Sequence, residues 1–264
     1  VALPLRQTFS LTVYNGNPAG AEHIVSTLLQ AYCREHMELF IVRRNFNSIY
    51  ADGSDLLQQL QAQTKVTLFE QDKETGLQEL FERLMAIMGE RMQLRNEFVQ
   101  QNGLTRGDPQ NTVRAFEYIH AHSTPLMVIF ENYYEFAKSL YDGQAVMFAE
   151  LFRAQDPNTT SKKNNGYGYN IYYTACFGPG EYTLTAAQTP MADCFNPQKF
   201  TLMFGGQLDK CGAVPLPRDY LAINEPDEHY NHCVMYYQGR LAGLSLPCGE
   251  LVHVEPDPDE VPII

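Results

Sequence analysis

The sequence has no long apolar run and no closely spaced pair of cysteines. Its 264 residues contain no uninterrupted apolar stretch of about 18 residues, so no membrane-spanning helix is expected. Six cysteines are present, and no two of them form a Cys-x-x-Cys pair. Because a chain of this length does not need disulfides to fold, the sequence predicts free thiols in a cytosolic protein.

Basic residues are scarce. There are 19 Lys and Arg residues against 31 Asp and Glu residues, which gives a formal net charge of −12. A protein that grips the nucleic-acid backbone needs a basic surface, so the composition argues against direct nucleic-acid binding and against a DNA translocase.

Recognisable metal-binding and nucleophile patterns are also missing. The chain has no Gly-x-Ser-x-Gly elbow and no convincing Cys/His nucleophile pair. His229, His232 and Cys233 have metal-binding side chains, but a structural zinc site needs four ligands and no second pair stands out. The sequence therefore predicts no metal site and favours an ordinary polar turn that leads into a strand, with a zinc site as the alternative.

Apolar periodicity predicts strands that alternate with helices, and the hydrophobic fraction of 44% is enough for one large core. This order predicts an α/β fold with a mostly parallel central sheet and a small β-rich C-terminal extension. We expect one domain over residues 1–264, excised from a longer multi-domain protein, with a linker-like composition at 255–264. The predicted strands are 9–14, 37–42, 65–69, 125–130, 166–175, 199–204, 232–237 and 240–246, and the predicted helices are 22–35, 53–62, 75–101 and 133–153.

The first predicted strand runs into a Gly/Pro loop that opens a helix, which is the context of a phosphate-binding P-loop. After Gly16 and four further residues, that motif would continue with Gly-Lys-Ser/Thr, but the chain has Ala21, Glu22 and His23. A carboxylate repels a triphosphate where a lysine would attract it. The vestigial loop comprises Gly16, Asn17, Pro18, Ala19, Gly20, Ala21, Glu22 and His23.

The order of these features resembles the FtsK/SpoIIIE ATPases, and more narrowly a C-terminal ATPase module of the EssC/YukB-type motor of type VII secretion. The resemblance spans nearly the whole chain, although each motif alone is degenerate. It is carried by residues 15–23, by 88–92 in the long helix, by 126–136, by 169–176, and by 204–207 together with 236–240.

The resemblance implies a RecA-like P-loop NTPase fold, a three-layer sandwich, with degenerate catalytic positions. Glu131 stands at the magnesium-binding Asp position, Asn132 at the catalytic Glu position and Cys176 at the polar sensor position. Hydrolysis in this fold depends on positioning and electrostatics, so we expect no intact catalytic residue and no meaningful ATP hydrolysis. No cofactor is expected, and weak ATP binding through the backbone N–H groups of residues 17–21 is the alternative.

The resemblance further implies a cytoplasmic domain of a membrane-anchored bacterial motor, with a structural or regulatory role in protein export. Its partners would be adjacent ATPase domains, secretion substrates or other parts of the secretion machine, without membrane contact by the domain itself. One alternative is an ATP-binding module whose weak activity a partner completes, for example with an arginine such as Arg153, Arg218 or Arg240. Another alternative is an unrelated α/β binding domain.

Tyrosines are concentrated in the second half of the chain, and the sequence leaves two explanations for them open. Tyrosine is enriched at protein interfaces, and it also has a high propensity for strands. The tyrosines in question are Tyr167, Tyr169, Tyr172, Tyr173, Tyr230, Tyr236 and Tyr237.

Overall fold

The computed structural model describes residues 5–8, 10–17, 28–29, 31–33, 35–44, 47–71, 73–105, 108–153, 169–187, 190–225 and 232–245. These residues form one eight-stranded sheet with helices packed on it. The strands are β1 Ser10–Asn15, β2 Glu38–Arg43, β3 Val66–Glu70, β4 Leu126–Phe130, β5 Ile171–Phe177, β6 Phe200–Phe204, β7 His232–Tyr237 and β8 Arg240–Ser245.

The strand order in the sheet is β3-β2-β4-β5-β1-β6-β7-β8. Strands β1 to β6 pair in parallel, whereas β7 and β8 pair antiparallel, so the predicted mostly parallel sheet is confirmed. The predicted β-rich C-terminal extension is the β7–β8 hairpin, which continues the same sheet beyond β6. Strand β4 is buried along its whole length, as its continuous apolar sequence predicts for a central parallel strand.

The helices lie mainly in the connections between parallel strands. They are α1 Leu5–Thr8, α2 Asp55–Gln63, α3 Glu74–Gln101, α4 Pro109–His122, α5 Tyr133–Ser139, α6 Asp142–Arg153, α7 Glu181–Thr185 and α8 Arg218–Leu221. Residues 28–29 and 31–33 are helical within the predicted helix 22–35, whereas Glu35 lies in a turn, and residues 22–27, 30 and 34 lie outside the described residues. None of the helices in the described ranges is long and apolar enough to cross a membrane.

Helix α4 was not among the predicted helices, although the sequence marks its start. The Asp108 side chain accepts a hydrogen bond from the Gln110 N–H at 2.8 Å, and Pro109 occupies the first helical position. Phe116 and Ile119 then bury one face of the helix. His122 lies in the last turn and is exposed.

Helix α3, predicted over 75–101, buries one apolar face. Leu77, Leu80, Leu84 and Met88 are buried, whereas Met92 is 45% exposed and Arg91 takes the buried place. The helix ends in a glycine cap. Gly103 has φ +60°, and the N–H groups of Gly103 and Leu104 donate to the carbonyls of Gln100 and Val99, which closes a Schellman cap.

The predicted helix 133–153 is divided in two. Helix α5 ends at Ser139, Leu140 is extended with φ −81° and ψ 133°, and α6 begins at Asp142. Aromatic rings of both helices pack on one face of the sheet, where edge-to-face and tilted contacts between rings stabilise the core. The ring centroids of Phe130 and Phe136 are 4.6 Å apart, and those of Phe152 and Tyr173 are 5.1 Å apart.

The opposite face of the sheet carries the helical residues 28–29 and 31–33. The hydroxyls of Tyr32 in this segment and Thr174 on β5 are hydrogen bonded at 2.8 Å in the buried interior. Burial raises the pKa of the Tyr32 hydroxyl, so it stays protonated. With helices on both faces, the molecule is the three-layer α/β sandwich that the sequence predicts.

Candidate functional site

The candidate site lies at the carboxyl edge of the six parallel strands. In open α/β sheets, ligands bind outside the carboxyl ends of the strands, and here β1, β4 and β5 carry all the predicted site positions. Strand β5 lies between the other two, since Tyr14 of β1 pairs with Phe177 and Phe130 of β4 pairs with Ala175. The loop that starts at Gly16 is therefore separated by one strand from the acidic end of β4.

The first residues of the loop pack against the turn that follows β6. The Gly16 N–H donates to the Phe204 carbonyl at 2.7 Å. A Cβ atom on Gly16 would lie 2.0 Å from the Gly206 carbonyl oxygen, and one on Gly205 would lie 2.5 Å from the Asn17 nitrogen. Two backbones thus meet with no room for a side chain, so glycine is required at both positions.

A hydrogen-bond network surrounds this backbone contact. The Asn15 side chain accepts from the Asn17 N–H at 3.1 Å. The Gln207 side-chain amide donates to the Gly16 carbonyl at 2.8 Å, and the Tyr14 hydroxyl donates to the Gln207 carbonyl at 2.6 Å. Burial raises the pKa of Tyr14, which keeps that hydroxyl a donor. The amide of Asn17, which belongs to the predicted phosphate cradle, is thus already bonded within the chain.

Glu131, at the predicted magnesium position, bonds to the segment that follows β2. Its carboxylate accepts from the Arg44 N–H at 2.7 Å, the Ser48 hydroxyl at 2.8 Å and the Ile49 N–H at 2.9 Å. The Arg44 guanidinium lies 3.7 Å from the same carboxylate, and the Glu131 side chain is only 4% exposed. The carboxylate therefore attaches Arg44, Ser48 and Ile49 to the end of β4.

Asn132, at the predicted catalytic position, is the N-cap of α5. Its side-chain oxygen accepts from the Glu135 N–H at 2.9 Å, which satisfies a free amide at the start of the helix. Its amide group donates to the Glu181 carboxylate at 2.8 Å. The other Glu181 oxygen accepts from the Gly178 N–H, directly after β5.

Sequence reasoning missed Glu181, which brings a carboxylate to the edge between β4 and β1. The signal was available, because Glu181 follows a Gly-Pro-Gly turn directly after a predicted strand. It also missed Ser48 and Ile49, for which no local signal exists, since they are 83 and 82 residues from Glu131.

Cys176, at the sensor position, lies near the end of β5, opposite Val13 of β1. Burial raises the pKa of its thiol to about 12, and the nearby carboxylates of Glu131 and Glu181 act in the same direction. The thiol is therefore protonated at neutral pH and offers only a weak hydrogen-bond donor. It is neither a nucleophile nor a ligand in this state.

Other predicted site residues have no described side chain. Pro18, Ala19, Gly20, Ala21, Glu22 and His23 lie outside the described residues, as do Tyr167, His229 and Tyr230. Nothing is described of the side chains of Arg153 and His232, whereas Arg218 and Arg240 are exposed. In the part of the chain that is described, no group of three or more His, Cys, Asp or Glu residues could hold a metal ion.

The described residues at the carboxyl edge of the sheet can form hydrogen bonds, but their charged side chains are already bonded within the chain. Glu131 and Asn132 are both engaged in stabilising neighbouring segments, and Cys176 is neutral. The partly exposed Glu181 is the one carboxylate that the described residues place between β4 and β1 at this edge, and it too is bonded at both oxygens.

No protein-family model matches the chain, and no curated protein matches it either. Solved structures do match. The pCW3 conjugation coupling protein TcpA, in its monomer form with ATPγS, has a TM-score of 0.53 and 11% identity over 92% of this chain and 61% of its own. EssC (ATPases 2 and 3) from Geobacillus thermodenitrificans has a TM-score of 0.55 and 12% identity, covering 92% of this chain and 40% of its own.

A third match is EccC (ATPases 2 and 3) from Thermomonospora curvata, in complex with a signal sequence peptide. Its TM-score is 0.53 and its identity 13%, over 92% of this chain and 39% of its own. The chain therefore has the fold of these ATPase domains, and the predicted α/β fold with a mostly parallel central sheet is confirmed. That fold also counts against an unrelated α/β binding domain. The chain spans less than two thirds of the length of each of these three proteins.

Proposed function

We propose that this domain is a catalytically degenerate ATPase-like domain of a type VII secretion or FtsK/SpoIIIE-type motor, with a structural or regulatory role in protein export. The observation that carries the proposal is the engagement of Glu131. A carboxylate that holds three donors and is 4% exposed has no open position for a magnesium ion. The sequence at Glu22 and His23 supports the same conclusion.

The proposed partners are neighbouring ATPase domains, of the same chain or of another protomer, and the exported protein. The fold supports this choice, because EssC and EccC each contain several ATPase domains and one EccC structure holds a signal sequence peptide. A domain that has lost its own chemistry can still transmit force or restrain an active neighbour through its surface. We place the domain in the cytoplasm on the same analogy.

The proposal is tested by ATP titration with magnesium in a calorimeter, on the wild-type chain and on the double variant Glu22→Lys/His23→Thr. We expect no binding heat from the wild type and measurable binding by the variant, because a lysine attracts the phosphates that a glutamate repels. We expect no hydrolysis by either protein, since Glu131 stays bonded to Arg44, Ser48 and Ile49. Glu35→Lys, at an exposed position, is the control for the added positive charge.

Micromolar binding and turnover by the wild type would contradict the proposal. That result would favour the alternative, an ATP-binding module whose activity a partner completes. Glu181 supports this alternative, because it places a carboxylate next to Asn132 at the edge of the sheet. In that case the turnover should fall on the change Glu181→Gln, whereas under our proposal the change has no activity to remove.

A further inference from the structure

We propose that Gln207 is a positioning residue that latches the start of the loop after β1 in one conformation. The latch is a conformational device within the fold, and it operates whether or not nucleotide binds. It consists of Gln207, the peptide between Gly16 and Asn17 that Gln207 contacts, and Tyr14 and Lys210, which hold Gln207 itself.

The backbone of Gln207 is the first sign of such a role. Gly205, Gly206 and Gln207 have φ values of +72°, +71° and +47°, so three consecutive residues are left-handed. Glycine adopts this conformation freely, but a residue with a Cβ atom is disfavoured in it. A strained non-glycine residue persists only when its surroundings fix it, and such residues cluster at functional sites.

The side chain of Gln207 explains why glutamine stands at this position. Its amide nitrogen donates to the Gly16 carbonyl at 2.8 Å, and its amide oxygen accepts from the Lys210 ammonium. The Tyr14 hydroxyl donates to its backbone carbonyl at 2.6 Å. Only a side chain with both a donor and an acceptor, and with this length, makes the two side-chain bonds together.

The consequence of these bonds is the orientation of one peptide group. The Gly16 N–H is fixed on Phe204 and the Gly16 carbonyl on Gln207, so the peptide that joins Gly16 to Asn17 cannot rotate freely. Its N–H, which belongs to Asn17, is bonded to the Asn15 side chain and so does not offer itself to an anion. The latch keeps the peptide between Gly16 and Asn17 in an orientation that does not depend on a bound phosphate.

The latch also joins the loop to a segment on the outside of the molecule. The N–H groups of Gln207 and Leu208 donate to the carbonyls of Glu225 and Ile223, at 3.2 Å and 2.8 Å. Ile223 is 44% exposed and Leu221 is 41% exposed. A displacement of residues 221–225 would therefore move Gln207, and with it the hydrogen bond to Gly16.

The test is residue-resolved amide hydrogen exchange by NMR, on the whole chain and on Gln207→Glu. Glutamate keeps the length and pairs with Lys210, but it has no donor for the Gly16 carbonyl. We expect the Gly16 and Asn17 amides to exchange about three- to tenfold faster in this variant, as loss of one hydrogen bond allows. The amides of Val128 and Ile129 in β4 should exchange at the wild-type rate, which reports an intact core.

Two further variants separate the side chain from the backbone. Gln207→Gly relieves the left-handed strain but removes the side-chain amide. The Gly16 and Asn17 amides should therefore exchange as fast in this variant as in Gln207→Glu. Lys210→Met keeps the bond to Gly16 and should change the exchange less than twofold, because the donor is still present. Wild-type exchange in Gln207→Glu, or in Gln207→Gly, would overturn the proposal.

Gln207→Asn provides the same test should Gln207→Glu fail to fold. Asparagine tolerates the left-handed conformation, but its amide is one methylene short of Gly16. The outcome does not depend on ATP, so a failed latch leaves the calorimetric test of the proposed function unaffected.

Discussion

The two ends of β4 are held by buried charges of opposite sign. Before the strand, the Arg91 guanidinium donates to the carbonyls of Tyr169 and Thr124, the latter at 2.6 Å. After the strand, the Glu131 carboxylate accepts from two backbone amides and the Ser48 hydroxyl. Each charge satisfies backbone groups that the chain cannot pair locally, so in both places the charge stabilises structure.

The two ends differ in how much each buried charge contributes to the stability of the fold. Burial lowers the pKa of the Arg91 guanidinium to about 10, which means that keeping it charged in the folded state opposes folding below that pH. Its two bonds must offset this loss of hydration. Glu131 holds three donors and also lies 3.7 Å from the Arg44 guanidinium, so the carboxyl end should be the more strongly stabilised.

The largest effect is therefore expected for Glu131→Ala. The change leaves the Arg44 and Ile49 amides and the Ser48 hydroxyl without an acceptor, and we expect a loss of about 3–5 kcal/mol in the free energy of unfolding. Urea denaturation measures it. Glu135→Ala is the matched control, because Glu135 forms an exposed pair with Lys138 and should change stability by less than about 0.5 kcal/mol. An equal, small loss in both variants would remove the distinction between the two ends.

A smaller loss, about 2 kcal/mol, is expected for Arg91→Met. Two carbonyls lose their donor, but the cost of burying the cation disappears as well. Arg83→Met removes an exposed pair with Glu79 on the same helix and serves as the control. Should Arg91→Met prove more destabilising than Glu131→Ala in urea denaturation, the ranking of the two ends is wrong.

The smallest effect, about 1–2 kcal/mol at pH 8, is expected for Asn132→Asp at the catalytic position. Aspartate caps a helix as well as asparagine, but here it sets a second carboxylate against Glu181. Repulsion raises the pKa of the new carboxyl in the folded protein. The variant therefore keeps its full stability below the ordinary pKa of an aspartate, and it loses stability as the pH rises through the pKa in the folded state.

Unfolding curves at pH 4.5 and pH 8 check the sign of this effect, which should be larger at pH 8. Adding Glu181→Gln should restore most of the stability, because the amide can again donate across the pair. A pH-independent loss that Glu181→Gln does not repair would show that the bond between Asn132 and Glu181 contributes little.

The sequence was a good guide to the sheet because strand periodicity and buried apolar runs are local signals. Strand β4, at Leu126–Phe130, lies within the predicted 125–130, and β7 and β8 match almost residue for residue. Helix α4 was missed although its Asp-Pro start is also a local signal. The break at Leu140 was missed because apolar residues continue through it.

The location of the candidate site was predictable from the sequence, but the bonding partners of its residues were not. The order of the motifs located Gly16, Glu131 and Asn132 at the carboxyl edge, as the resemblance implied. What these groups bond to depends on contacts between distant segments, such as Glu131 with Ser48 and Gly16 with Gln207. No periodicity or propensity encodes such contacts, because they arise only when the strands are ordered in the sheet.

The attachment of Glu131 to Arg44, Ser48 and Ile49 has a consequence for mutation at this position. A shorter aspartate would withdraw the acceptor from all three groups, so that even this conservative change would give a less stable protein. The carboxylate is part of the framework, and the framework therefore restricts which residue can stand here.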